Sequence, residues 1–230
     1  MNAMQPLNRR QMAWRAAQDI EARSVVNLGM GMPVHVSDYL DPKDDVFIHS
    51  ENGVIGAGPL AVPERADADL VDASSRRITL RSGAAIVDSV WSFAMIRGGH
   101  IDVTILGAFE VAANGDLANW DMRVPNKGPL VGGAMDLAAG ARAVWVIMEH
   151  TTRKGGPRLV EACTLPLTGK ACVKRVYTDL AVVEVTAAGF LVRDMLDGMT
   201  KAELQARSGA PLAFAPDCRP LAAPPLPDTE

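Results

Sequence analysis

Cysteine is scarce in this chain. Cys163, Cys172 and Cys218 are the only three in 230 residues, and the first two lie nine apart rather than at C-x-x-C spacing. Three scattered thiols cannot make a disulfide framework, and the odd count fits reduced cysteines in a cytoplasm. Long apolar runs are missing too: no window approaches about 18 uninterrupted apolar residues, so no bilayer-spanning helix is expected. The stretch from Met1 to Arg10 has two arginines but no apolar block behind them, which argues against a signal peptide. Net charge is only -4, which gives no electrostatic case for nucleic acid or an anionic membrane. The four histidines, His35, His49, His100 and His150, have no partner at i+2 or i+4, so no metal site is expected. Aromatic residues make up 5%, and Trp14, Trp91, Trp120 and Trp145 are spread out, with core or interface packing as their default. There is no repeat at solenoid periods.

What is present is ordinary for a soluble globular protein: 48% hydrophobic and 22% charged residues. At this length roughly 70% of the unfolded chain's surface is buried on folding, enough for a core without staples. Short apolar runs alternate with amphipathic stretches, the rhythm of an α/β protein with an open, mostly parallel sheet flanked by helices and an antiparallel edge. Asn8 is placed to cap a first helix carrying Met12, Ala16 and Ile20 at helical spacing. Strands are expected at Val25–Leu28, Val46–His49, Ile78–Leu80, Val103–Leu106, Ala143–Met148 and Val173–Tyr177, with a short helix reaching Tyr39. Residues 56–69 read as loop, and Ser82-Gly83 as the entry to a helix ending near Gly98-Gly99. Ala181–Val185 and Phe190–Arg193 flank a hairpin turn, and Thr200-Lys201-Ala202-Glu203 is a capping box opening the last helix, with Gly209 as its stop. One domain is expected over residues 1–212. Pro216, Pro220, Pro224, Pro225 and Pro227 then disfavour helix and sheet, which predicts a flexible tail over 213–230.

The chemistry points to the end of the second strand. In Val46-Phe47-Ile48-His49-Ser50-Glu51-Asn52-Gly53 a carboxylate follows a buried strand, at the end where open α/β sheets bind ligands. Asn52-Gly53 tolerates a sharp turn that would present Glu51 to a cleft, where it can act as nucleophile on an activated acyl group or as general base. A solvated turn glutamate is the plain alternative on these residues alone. Gly132-Gly133 precedes an expected helix start and offers unhindered amides near a positive dipole end; a turn kept small for packing is equally open. Gly29 and Gly31 lie in a strand-to-helix turn that is not a dinucleotide fingerprint, because Val34 stands where its third glycine would be.

The pentapeptide His49-Ser50-Glu51-Asn52-Gly53 resembles the signature of the β subunit of family I CoA-transferases, the 3-oxoacid CoA-transferases. Asn27-Leu28-Gly29-Met30-Gly31-Met32-Pro33 is similar to the family's glycine loop. Further similar blocks follow in family order: Arg97 to Asp102, Gly115 to Trp120, Gly132 to Leu137, Glu149-His150-Thr151 and Cys163 to Gly169. The resemblance implies that Glu51 attacks the thioester of an acyl-CoA, becomes a glutamyl-CoA thioester through a mixed anhydride, and passes CoA to an acceptor acid. It also implies an oxyanion donor in Gly132-Gly133. Substrate or CoA contacts are implied at Asn27, Gly29, Gly31, Asn52, Gly107 and Ala108. The coenzyme A thioester is then a substrate, with no metal and no permanently bound cofactor.

Two positions depart from the acetoacetate-type pattern. Asp121-Met122-Arg123-Val124-Pro125 follows Asn119-Trp120, and Glu110 stands in place of a glutamine. The added cation, Arg123 or Lys127, suits a second carboxylate on the acid, as in 3-oxoadipate. Family members also carry an α half, and nothing here is similar to it, so an α subunit in an αβ or α2β2 heteromer is expected. The rival readings are an acyl-CoA hydrolase using the same glutamate and a non-catalytic metabolite-binding module.

Overall fold

The computed structural model describes residues 5–124 and 128–227. Lys127 lies outside the described residues. Among the described residues thirteen strands form: β1 (Val25–Leu28), β2 (Phe47–Ser50), β3 (Val54–Leu60), β4 (Ile78–Ile86), β5 (Val103–Gly107), β6 (Glu110–Ala112), β7 (Leu117–Ala118), β8 (Ala143–Ile147), β9 (Leu159–Val160), β10 (Val173–Tyr177), β11 (Ala181–Thr186), β12 (Gly189–Leu196) and β13 (Leu212–Leu221). The α-helices are α1 (Arg9–Ala17), α2 (Ser89–Arg97), α3 (Ala134–Gly140) and α4 (Lys201–Ala206), with a 3-10 helix at Met32–Tyr39.

Ten strands make one sheet in the order β13-β12-β11-β10-β8-β5-β1-β2-β3-β4, and β7-β6-β9 make a small second one. The five central strands, β10 through β2, are mutually parallel, and antiparallel hairpins extend both sides. Alternation along the central strands divides the core. Val26, Ile105, Trp145 and Tyr177 face α1 and the 3-10 helix, while Leu106, Val144, Val146 and Val176 pack with Ile96 of α2, Leu137 of α3 and Leu204 of α4. Asn8 caps α1 in a reciprocal capping box with Gln11, and Thr200 does the same for α4 with Glu203.

Three expectations are corrected. Residues 56–60, expected as loop, continue a strand that begins at Val54, because Gly56 and Gly58 let β3 lie tightly against Ala84 and Thr79 of β4. The segment after Ser82-Gly83 stays extended to Ile86, and α2 starts only where Asp88 accepts a hydrogen bond from the Trp91 amide. The proline-rich end is not a loose tail. β13 pairs in parallel with β12, with its register shift between Phe214 and Arg219 spanning Pro216. An edge strand accepts prolines because half its N–H groups need no ladder partner. Beyond it, Asn8 and Gln11 donate side-chain hydrogen bonds to the carbonyls of Leu226 and Pro224.

Asp194 ties this end to the body. Buried on β12, it accepts from Arg15 of α1 at 2.6 and 3.0 Å and from Arg219 of β13 at 2.8 Å. Removing one member of a buried ion pair costs about 3–5 kcal/mol because its partner is left desolvated. Asp19 remains as a second partner for Arg15 at 2.8 Å, so Asp194→Ala is expected at the lower end of that range, read from the shift in urea unfolding midpoint.

Candidate functional site

Glu51 sits just past β2, on the edge formed by the C-terminal ends of the parallel strands. Its turn is tied on three sides. The Gly53 amide donates to the Ser50 carbonyl at 2.9 Å, and the Val87 amide to the Gly53 carbonyl at 2.9 Å. Ser50 Oγ accepts from the Ala73 amide at 2.8 Å, and Asn52 Nδ2 donates to the Val71 carbonyl at 2.8 Å. Gly53 has φ +111°, and a Cβ there would run into the Val87 carbonyl oxygen. Only glycine meets both conditions.

The Glu51 carboxylate is half-buried and lies against Gly133, the residue that caps α3; a Cβ on Gly133 would overlap its Oε2. Burial pushes the carboxyl above the usual glutamate range. The hydrogen bond from the Gly133 amide pulls the other way, and the charge of Asp136 adds a further upward push. A carboxylate short of water with a backbone amide beside one oxygen is a poised nucleophile. Phe93 of α2 also abuts Gly133, and Arg97 bonds Asp136 at 2.7 Å, so α2 and α3 approach the glutamate as one packed pair.

The other expected residues divide. Gly31 has φ +83° with open space where a side chain would be, and Gly107 and Gly132 are open as well. Gly29 is a packing glycine instead. Its amide bonds the Ile105 carbonyl at 2.8 Å, and a Cβ would meet Ile105 and Leu106 at 3.2 Å. Ala108 is buried, and its carbonyl accepts from Arg158 at 3.2 Å. The Asn52 side chain is taken up by Val71. Asn27 does not line a pocket: it is 2% exposed and its amide is committed to His49 and Thr104. Arg123 is exposed at φ +50° with its amide on Asp121 at 2.7 Å.

Glu110 clamps a neighbouring loop, accepting from Thr164 and Leu165 at 2.7–3.1 Å. Burial raises the Cys163 thiol to about 12 and Cys172 to about 11, so both stay protonated. A groove of about 440 Å³ between Asp19, Asp102, Arg142 and Arg175 lies at the opposite ends of the strands, and these four are paired, Arg142 with Asp102 and Arg175 with Asp19.

Sequence reasoning missed Ser92 and Thr104, both fully buried. Their signal was present: a hydroxyl inside the apolar run Val103-Thr104-Ile105-Leu106, and another in Val90-Trp91-Ser92-Phe93.

The model of the coenzyme A transferase family matches residues 9–204. The chain belongs to that family. The B subunit of the 3-oxoadipate CoA-transferase of Pseudomonas putida is 50% identical over 212 residues, covering 92% of this chain and 99% of that one. Human succinyl-CoA:3-ketoacid coenzyme A transferase 2 is 41% identical over 210 residues, or 90% of this chain and 40% of the longer human protein. An acyl-CoA transferase from Escherichia coli O157:H7 shares the fold, with a TM-score of 0.72 at 18% identity over 93% of this chain and 43% of that chain. This CoA-transferase chain is therefore of the β-subunit type. Among its described residues, no helix is long and apolar enough to cross a membrane.

Gly133 and Gly132 give a paired test. Gly133→Ala drives a methyl into the Glu51 carboxylate and removes the amide from its line, so CoA transfer by the assembled enzyme should fall about 100-fold, the scale of losing one oxyanion donor. Gly132→Ala, whose added methyl meets nothing in this chain, should lose less activity than Gly133→Ala in the same assay.

Proposed function

We propose that this chain is the nucleophile-bearing β subunit of an enzyme that moves CoA from succinyl-CoA to a 3-oxo dicarboxylic acid of the 3-oxoadipate type. The observation that carries the reading is the half-buried Glu51 carboxylate, on a turn that cannot relax, against the Gly133 amide. Glu51 attacks the succinyl carbonyl carbon, and the C–S bond breaks to release CoA thiolate and leave a mixed anhydride. The thiolate then attacks the Glu51 carbonyl carbon, expelling succinate and forming a glutamyl-CoA thioester. The acceptor carboxylate runs the same exchanges in reverse. Each pair of exchanges replaces one thioester by another of similar energy, with the anhydride as a short-lived high-energy intermediate, so neither metal nor a resident cofactor is required. Each tetrahedral intermediate on Glu51 puts negative charge on the oxygen nearest Gly133, where a preorganised N–H is worth most.

The acceptor is assigned from the higher identity to the 3-oxoadipate relatives, at 50% and 47%, than to the 3-ketoacid relatives at 41%. The exposed cation Arg123 suits the second carboxylate. The donor follows the name of the human relative.

An α subunit completes the site. Around Glu51 the surface is apolar: Ile86 is 66%, Val90 77%, Trp91 63%, Leu130 65% and Val131 77% exposed. Ile86 and Val90 flank the segment bonded to Gly53, and Val131 adjoins the Gly132-Gly133 pair. An apolar belt of this kind marks an interface, and the relatives named as B subunits supply the reason to expect an α chain on it. Three cysteines without a disulfide support a cytoplasmic assembly.

The test is intact mass of the chain, co-purified with its α partner and quenched after mixing with succinyl-CoA. The expected result is an adduct of CoA less water at Glu51, discharged by 3-oxoadipate and absent in Glu51→Gln. Discharge by buffer alone at the same rate would make the enzyme a hydrolase. The variant also has a stability signature. The raised carboxyl pKa means the charged form costs folding stability, absent below the unfolded pKa and growing as pH rises through the folded one. Glu51→Gln should therefore melt at or above the unsubstituted temperature at neutral pH.

A further inference from the structure

Three adjacent parallel strands carry a polar side chain at one register on the face that receives α2 and α3. Asn27 of β1 pairs with His49 of β2 on one side and with Thr104 of β5 on the other. Their exposures are 2%, 1% and 0%, and Ser92 of α2, also at 0%, lies against the imidazole. The four side chains form one chain of hydrogen bonds. Thr104 Oγ1 donates to Asn27 Oδ1 at 3.3 Å, Asn27 Nδ2 meets His49 Nδ1 at 3.1 Å and the His49 carbonyl at 3.2 Å, and His49 Nε2 meets Ser92 Oγ at 3.0 Å.

Donor accounting gives this chain a single direction. The His49 carbonyl can only accept, so the Asn27 group facing it must be the NH2 and not the oxygen. That NH2 has only protons to offer, so Nδ1 must be bare and accept. The ring proton then sits on Nε2 and is donated to Ser92. A second ring proton would set N–H against N–H at Asn27. The ladder thus admits only neutral imidazole in one tautomer, and burial pulls the same way, holding the His49 pKa down at about 4.

Four buried polar groups cost stability unless each is matched, and an apolar set would pack this face as well. Their place is informative: His49 is two residues before Glu51 on the strand that carries the nucleophile's turn. Ser92 is in the helix whose Phe93 abuts Gly133. We propose that Thr104, Asn27, His49 and Ser92 are positioning residues, a one-way hydrogen-bond ladder. It fixes β2 and α2 relative to each other so that Glu51 meets the Gly133 amide, and it keeps the histidine two residues before the nucleophile uncharged. The inference rests on reading Glu51 as the nucleophile.

Asn27→Asp tests it in the αβ complex. The replacement keeps the shape but offers only acceptors, which reverses the ladder and draws a proton to Nδ1. Nitrogen-15 NMR of labelled histidine should show His49 as the neutral Nε2–H tautomer in the unsubstituted complex and as Nδ1-protonated in the variant. The rate of adduct formation from succinyl-CoA should fall about tenfold or more, as misplaced nucleophiles do, with KM for succinyl-CoA unchanged. An unsubstituted His49 in the charged or Nδ1–H form would overturn the proposal. So would an unchanged adduct rate in the variant, or a loss carried wholly by KM. Should Asn27→Asp not fold, Thr104→Val and Thr104→Ser decide on the same readouts: the valine should slow adduct formation and the serine restore it, and equal rates would overturn the ladder. If the unsubstituted complex forms no adduct at all, the nucleophile assignment fails, while the tautomer measurement still decides the ladder.

Discussion

The contact between the Glu51 carboxylate and the backbone of Gly133 is the constraint around which this chain is arranged. A carboxylate in water is a poor nucleophile because its charge is well solvated. Here a turn pinned by Val71, Ala73 and Val87 holds it part-way out of water, and the one compensating group is an amide that also suits an oxyanion. Two glycines make this possible by different means. Gly53 supplies a backbone angle closed to other residues, and Gly133 supplies room. The raised carboxyl pKa is the price of the arrangement, and nothing else in the fold requires it.

The sheet explains why the contact forms where it does. Parallel strands end together, so the turn after β2, the glycine loop after β1 and Gly107 at the end of β5 share one edge. α2 and α3 cover the same face beside them, and the ion pair between Arg97 and Asp136 joins the two helices. The apolar belt outside them is what remains when one wall of a cleft belongs to another chain.

Much of this was legible in the residues. The strand leading to Glu51, the Asn8 cap, the Thr200 capping box and the central strands follow from periodicity and local capping, which the rest of the structure leaves unchanged. The errors share a cause. Residues 54–60, 82–86 and 212–221 lie in strands at or next to the sheet edges and are rich in glycine or proline, and they hold their shape by pairing with segments that local pattern does not reveal. The site was harder. Glu51 and the Gly132-Gly133 pair were readable, but their meeting depends on α2 and α3 packing across the sheet. Asn27 illustrates the limit: its motif suggested a ligand contact, whereas its register beside His49 and Thr104 buries it within the sheet face.

The central claim is that Glu51 exchanges acyl bonds with both acids, and isotope labelling tests it most directly. An acceptor acid labelled with 18O in its reacting carboxylate attacks the glutamyl-CoA carbonyl through one labelled oxygen. When thiolate next takes the acceptor's acyl group, that bridging oxygen stays behind on the glutamate. After a single turnover of the αβ enzyme, the peptide containing Glu51 should carry one 18O in its side chain. Full conversion of the labelled acid to its CoA ester with no label at Glu51 would contradict the account.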